Sequence, residues 1–355
     1  MNLQLAGWNE SWAQYFHEFS GKELKPARVM AQYRHSYSLW TESGEAEAEV
    51  AGALLYRSGT GELPVIGDWV AIRQYAQGDL AIITNILPRQ TRFSRKASGS
   101  AAEEQVIAAN IDLLLIVCGL DHDYNLRRLE RYLVAASQSG AEPVIVLNKA
   151  DLCYDVETRV AEVQAIAPDI AVIAMTATSA NVADRLLPLI TRGKTASLVG
   201  SSGAGKSTIV NQLLDMALQP TQPTRESDGR GRHTTAHREL FFLPNGGLIL
   251  DNPGIRELQL WTDHGAQSID QAFPEIEALA EQCAFRDCSH NAEPDCALQT
   301  ALTSGEIDEA RWRSYLKLRR ELRHAATLVD ENFRRKEKER WKKLCSAVKR
   351  NQKRK

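Results

Sequence analysis

No apolar run in this chain approaches the roughly 18–20 residues that a membrane-spanning helix requires, and the mean hydropathy of -0.34 agrees in excluding a helical membrane protein. The opening stretch, MNLQLAGWNESWAQYF, lacks the basic and continuous apolar regions of a secretory leader. Cysteine is scarce: six in 355 residues, unevenly spaced, which excludes a disulfide scaffold and predicts a reducing, cytoplasmic setting. No internal repeat is evident. An excess of one charge is missing too, with 43 Lys and Arg against 45 Asp and Glu. That balance hides an asymmetry. Residues 331–355 hold 12 Lys and Arg and 3 Glu, leaving 31 basic and 42 acidic residues upstream. An acidic body with a basic tail points to an anionic partner reached through the tail.

What is present suffices for two or three domains, since 43% of the residues are hydrophobic. Residues 1–24 read as an amphipathic lead whose Trp8, Trp12, Phe16 and Phe19 recur at near-helical spacing and pack on the next domain. In 25–90 the runs PARVMAQY, HSYSLWT, EAEVAGALLY, GDWVAIRQY and LAIITNIL are short, partly alternating and β-rich, which predicts a small barrel of the OB or SH3 type. Residues 91–110 read as a linker. There Arg92, Arg95 and Lys96 around Phe93 suit either phosphate and base contacts or a solvated hinge.

From 111 to 262 the pattern changes. IDLLLIVCGL, PVIVLNKA, DIAVIAMTA, KTASLVG and GGLILD are continuous apolar runs of the kind buried on both faces of a parallel sheet. Helical stretches lie between most of them, such as LRRLERYLVAASQSG ending at Gly140. This is an α/β nucleotide-binding pattern. Residues 263–330 turn helical around a Cys/His cluster, and 331–355 form the basic tail.

GSSGAGKST at 200–208 fits G-x-x-x-x-G-K-[ST] between an apolar strand and a helical run, the context that motif needs. Gly200, Gly203 and Gly205 let the backbone curl, so that the amides of Ser201, Ser202, Ala204 and their neighbours can face phosphate oxygens at a helix N-terminus. Lys206 brings a point charge to the β- and γ-phosphates, Ser207 a hydroxyl to Mg²⁺, and Thr208 continues the turn.

NKAD supplies Asn148, Lys149, Ala150 and Asp151 after another buried strand. The Asp151 carboxylate can accept from guanine N1–H and the exocyclic amine, whereas adenine would leave it unpaired. Asn148 and the Lys149 stem complete the base slot, and Thr176 and Ala177 can offer backbone amides to guanine O6. DNPG at 251–254 suits a metal and γ-phosphate sensor, with Asp251 facing Mg²⁺ through water and the Gly254 amide near the γ-phosphate. The stretch GRGRHTT at 229–235 reads as a switch loop, with Thr234 or Thr235 as a further Mg²⁺ ligand.

The motif order is rearranged. Ras-type GTPases place the phosphate loop before the guanine motif; here the guanine motif comes first, which predicts a circular permutation. The second switch then runs straight into the C-terminal region, so movement of 251–262 is expected to pull on it. Ile255 occupies the place where Ras-type enzymes carry a water-orienting glutamine. His233 is the nearest polar substitute for that catalytic task, and slow unaided hydrolysis follows.

Cys283, Cys288, His290 and Cys296 make C-x4-C-x-H-x5-C, three soft thiolates and an imidazole that match one closed, structural Zn²⁺ site. Cys118 and Cys153 read as packing residues, and Cys345 has no visible partner. The long charged helix from 311 and its basic end would contribute nonspecific RNA affinity with steep salt dependence.

These motifs together resemble one family, the small-subunit-dependent GTPases RsgA, also called YjeQ. The resemblance spans about 25–325 through GDWV (67–70), AANID (108–112), NLRRLERYL (125–133), NKAD, GSSGAGKST, GRHTT, Asp-x-Pro-Gly and CAFRDCSHNAEPDC. It implies an N-terminal OB barrel, a central α/β circularly permuted P-loop GTPase domain and a C-terminal, mostly helical zinc-binding domain. It also implies a factor that binds the 30S subunit and its 16S rRNA near the decoding centre, and a monomer is expected because nothing in the sequence suggests an obligate oligomer. Such a factor hydrolyses GTP to GDP on that contact and acts in late 30S maturation. A large-subunit GTPase and a nucleotide-gated rRNA adaptor with vestigial hydrolysis are the alternatives. Two positions depart from the family pattern: Asn252 stands where threonine is usual, and Ala236 where a third threonine follows the switch histidine.

Overall fold

The computed structural model describes residues 3–19, 22–34, 36–57, 63–74, 80–96, 104–215, 239–251, 265–285, 288, 290 and 293–329. After a 3₁₀ turn at Leu3–Ala6, helix α1 (Glu10–Phe16) opens at Asn9, whose side chain caps it by accepting the Trp12 amide at 3.2 Å. Five strands follow: β1 (Lys25–Gln32), β2 (Tyr37–Thr41), β3 (Gly44–Val50), β4 (Trp69–Gln74) and β5 (Leu80–Ile86). They pair in the order β1-β2-β3-β5-β4, and β4 returns to β1 to close a barrel. Only β3 and β5 run parallel; the other pairs are antiparallel. This is the OB arrangement rather than the SH3 one. Val29, Leu39, Val70, Ile72 and Ile83 fill the interior, and the small Ala27, Ala48 and Ala81 let the strands close around them.

Between β3 and β4 lies helix α2 (Gly52–Arg57). The run EAEVAGALLY, expected to be extended throughout, is therefore strand only to Val50. The next strands, β6 (Arg92–Lys96) and β7 (Glu104–Ala109), pair with each other within the stretch expected to be a linker. Phe93 is 1% exposed, so it is a core residue and does not offer a face to a base.

The α/β region runs β8 (Leu113–Gly119), α3 (Leu126–Ser139), β9 (Glu142–Asn148), α4 (Val156–Ile166), β10 (Val172–Ala174), α5 (Val182–Leu186), β11 (Thr195–Val199), α6 (Lys206–Asp215), β12 (Glu239–Phe242) and β13 (Leu248–Asp251). Helix α3 ends as its sequence predicts, on Gly140 in the left-handed region at φ 79°. The sheet order is β10-β9-β8-β11-β13-β12, all parallel except β12. Parallel pairing puts the ends at Gly119, Asn148, Ala174, Val199 and Asp251 on one edge of the sheet, and these are the ends that the motifs follow. Apolar residues such as Leu115, Val146, Leu198 and Ile249 bury both faces.

Barrel and sheet form one compact unit, Met1–Ser94 with Val106–Leu258. β12 continues into β1 through the antiparallel pair Ala31↔Glu239, and Trp40 rests on Phe242 at 4.7 Å. The lead packs on the barrel as its aromatic spacing predicts: Trp69 meets Trp8 at 4.8 Å and Trp12 at 6.0 Å.

The second unit contains α7 (Gly265–Ala272), α8 (Pro274–Ala280), α9 (Ala297–Ser304) and α10 (Glu309–Val329). Phe273, Ile276, Leu298, Trp312 and Tyr315 form its buried interior. Arg311 ties α10 to α7 and α8 by bonding Glu275 and the Ala272 carbonyl, with its guanidinium 4.5 Å over the Phe273 ring. Among the described residues no helix is long and apolar enough to cross a membrane.

Trp69 is 1% exposed and touches both lead tryptophans. Trp69→Ala is expected to cost about 3–5 kcal/mol, read as a lowered urea midpoint with the barrel still closed.

Candidate nucleotide site and metal centre

β11 ends at Val199 and the chain turns at once through Gly200 (φ 147°), Gly203 (φ 82°) and Gly205 (φ 100°) into α6. Two of these glycines are dictated by close approach. A Cβ on Gly200 would lie 2.1 Å from the Val117 carbonyl oxygen, and one on Gly205 would lie 2.1 Å from Asn148 Nδ2. Lys206 folds back over the loop, its Nζ donating to the Gly200 carbonyl at 2.8 Å. Ser207 is exposed on the first turn of α6, followed by Thr208, while Ala204 is buried and Ser202 and Gly203 are exposed at the turn.

Asn148 ends β9 and is 2% exposed. Its Nδ2 donates to the Ala204 carbonyl at 2.8 Å, and its Oδ1 accepts the Ala177 amide at 2.8 Å. One buried amide thus joins the phosphate loop to the loop after β10. Beyond it Lys149 takes a left-handed φ of 63°, which turns the chain into a 3₁₀ turn at Ala150–Leu152. The Ala150 amide bonds the Met175 carbonyl at 3.1 Å. Asp151 is exposed, and the Thr176 hydroxyl orients it by donating to Asp151 Oδ1 at 3.0 Å and accepting the Asp151 amide at 3.3 Å. The carboxylate, Lys206 and the Gly200–Gly205 turn therefore stand on one edge of the sheet, within a single hydrogen-bonded frame.

Three parts of this frame were not read from sequence. Lys149 Nζ bonds Asp121 Oδ2 at 2.7 Å, and that ammonium holds the Asp121 carboxyl below its ordinary value. Asp123 accepts from Ser201 Oγ and Arg128. Thr176 contributes a side chain where only its backbone was expected to act. The available signal was the acidic run DHD just after a buried strand. Its relevance depends on β8 lying beside β11, which spacing alone does not reveal.

Asp251 ends β13 with its backbone opposite Glu239; its side chain lies outside the described residues. So do His233, Thr234, Thr235, Asn252, Gly254, Ile255 and the basic tail.

In the helical unit Cys283, Cys288, His290 and Cys296 bring four ligand atoms within 4.8 Å of one another. Cys283 Sγ lies 3.5 Å from His290 Nδ1 and 3.9 Å from Cys296 Sγ, and Cys296 Sγ lies 3.6 Å from His290 Nδ1. A tetrahedral ion with Zn–S and Zn–N bonds of ordinary length requires about 3.8 Å between sulfurs and about 3.6 Å between sulfur and nitrogen. The cluster fits a metal on that test. Burial, helped by Arg319, lowers the His290 pKa and so favours the neutral ring a metal needs.

Asn148→Ala is expected to leave the Ala204 carbonyl and Ala177 amide unpaired at about 1–3 kcal/mol each. Hydrogen exchange should accelerate in 200–206 and 176–178 together; unchanged protection in either segment would mean that the amide does not join them.

A family profile described as RsgA GTPase matches residues 86–261. The small ribosomal subunit biogenesis GTPase RsgA of Opitutus terrae is 45% identical, covering 97% of this chain and 96% of its own length. The protein of that name from Leptospira interrogans is 46% identical, with 92% and 90% covered. YjeQ from Thermotoga maritima superposes with a TM-score of 0.63 at 24% identity, over 84% of this chain and 98% of that one. YloQ, a circularly permuted GTPase, superposes at 0.61 with 21% identity, over 84% and 95%. The two structures share the fold, and with 45% and 46% identity to the two RsgA relatives along nearly the whole chain, the protein belongs to the RsgA GTPase family.

Proposed function

We propose that this chain hydrolyses GTP to GDP while bound to the 30S ribosomal subunit, contacting 16S rRNA during late maturation, and that it works as a cytoplasmic monomer. The observation that supports this reading is the Asn148 frame, which holds the Asp151 carboxylate and the Gly200–Gly205 turn at one sheet edge in a chain whose relatives are named for small-subunit biogenesis.

In this reading Asp151, oriented by Thr176, selects guanine. Asn148, Lys149 and Ala150 shape the base slot, and Ala177 borders it. The amides of Gly200–Gly205 and the Lys206 ammonium hold the phosphates, with Lys206 countering charge that develops in the transition state. Ser207, Asp251 and Thr234 or Thr235 would hold Mg²⁺, which when bound neutralises phosphate charge. Gly254 senses the γ-phosphate, and His233 orients the attacking water that Ile255 cannot hold. Cys283, Cys288, His290 and Cys296 hold one structural Zn²⁺. The basic tail supplies phosphate affinity, and Asn252 preserves a short polar side chain beside Asp251.

Turnover is expected to rise with purified 30S subunits and not with 50S subunits. Stimulation by 50S would assign a large-subunit role, and stimulation by neither would leave a nucleotide-gated adaptor. His233→Ala should lower the 30S-stimulated rate at least tenfold with unchanged GTP affinity; an unchanged rate would remove the histidine from the mechanism. Denaturation of the purified protein should release one equivalent of zinc. Chelation should lower the melting temperature of the helical unit, and release of no zinc would reject the assignment.

A further inference from the structure

A polar cavity of about 180 Å³ lies where the lead, the barrel and the foot of the parallel sheet meet. Asp112 and Lys194 line it just before β8 and β11, so it faces the sheet edge opposite the phosphate loop. Arg28 of β1, 2% exposed, also lines it. Its guanidinium donates from Nε to the Gly67 carbonyl at 3.4 Å and from Nη2 to the Asn110 carbonyl at 3.0 Å and Thr195 Oγ1 at 2.8 Å. Nη1 donates to the Ala6 carbonyl.

Every one of these acceptors is neutral. The neighbouring carboxylates are engaged elsewhere: Asp112 takes Lys194 Nζ and the Thr195 amide, each at 2.8 Å, and Asp68 takes Arg89 at 2.7 Å. A buried cation without a bonded anion is costly, and burial brings Arg28 down to about 10. Four bonds leave one of its five N–H groups, on Nη1, over. Gly7 (φ 90°) stands beside that nitrogen, and a Cβ there would lie 2.5 Å from the Gly193 carbonyl oxygen and 3.1 Å from Nη1. At the rim, exposed Arg192 adds a second guanidinium that has no ion pair among the described residues.

We propose that this cavity is an oxyanion site that takes one phosphate group between Arg28 and Arg192. A guanidinium is suited to this task because its N–H groups match phosphate oxygens in pairs and stay charged when buried. The group comes from free phosphate or from a terminal phosphate of RNA. Through Arg28 the bound anion joins the Ala6 turn, the barrel and the Thr195 hydroxyl at the start of β11, the strand that carries the phosphate loop. The site is separate from the nucleotide pocket and does not depend on the proposed ribosomal role.

The test uses the full chain saturated with GDP and Mg²⁺, so that the phosphate loop is filled. Potassium phosphate is titrated against potassium chloride at constant ionic strength, with tryptophan emission as the signal, because Trp8, Trp12 and Trp69 line the cavity. Saturable binding is expected, weakened at least tenfold in Arg192→Ala, whose melting temperature in chloride should match the parent. A linear response, or identical titrations in parent and variant, would overturn the site. Given saturation, a 5′-phosphorylated RNA hexamer that competes while its dephosphorylated form does not identifies RNA ends as the source. Failure of both hexamers to compete identifies free phosphate; each result keeps the site.

Discussion

One buried carboxamide ties together the loops at the carboxyl edge of the parallel sheet. Asn148 satisfies the Ala204 carbonyl in the turn after β11 with its nitrogen and the Ala177 amide in the loop after β10 with its oxygen. No charged or aliphatic residue of that size can do both, because neither presents a donor and an acceptor on one planar group. Gly205 is bound to the same requirement: a side chain there would occupy the place of Asn148 Nδ2. The two positions form a matched pair although 57 residues separate them in number. Low dielectric around the amide makes its two bonds stronger and makes their loss more costly.

The permuted connectivity changes little about this edge. A parallel sheet is indifferent to the order in which its strands are threaded, provided that each motif follows the carboxyl end of its strand and that crossovers remain right-handed. β11, which bears the phosphate loop, lies between β8 and β13 whichever comes first in the chain. The exposed flank of β12 is a different matter, since a bare edge strand invites pairing with other chains. Here β1 covers part of it, so the barrel is at once a domain and the edge protection of the neighbouring sheet.

Legibility in the sequence followed locality. The phosphate loop, the parallel strands and helix α3 were readable because glycine spacing, apolar runs and caps are local signals. Thr176 and Asp151 were each visible, but their mutual bond crosses 25 positions and only the sheet brings them together. The same holds for Asp123 and Ser201. The β6–β7 pair was obscured because basic residues surround Phe93, and the buried Ile107–Ala109 segment is too short to stand out. Helix α2 was absorbed into a strand because the alternation of Glu47 and Glu49 runs up to Gly52 without an N-cap signal. Arg28 was least legible of all: composition places arginine at the surface, and its burial rests on acceptors from four distant segments.

Among the described residues the interior of the helical unit is a cluster around Phe273 and Tyr315. The loop between α8 and α9 carries a penalty, because His290 (φ 58°) and Asp295 (φ 56°) are left-handed without being glycine, a conformation that costs of order 1–3 kcal/mol where it is held as strain. Three thiols crowded with an imidazole are unfavourable once ionised unless a cation is shared among them. A metal held by Cys283, Cys288, His290 and Cys296 would remove that repulsion and hold His290 in its left-handed conformation. His290 is itself both a left-handed residue and a candidate ligand, and Cys296 immediately precedes α9. Ligation would therefore tie this loop to the start of α9, coupling metal binding to folding.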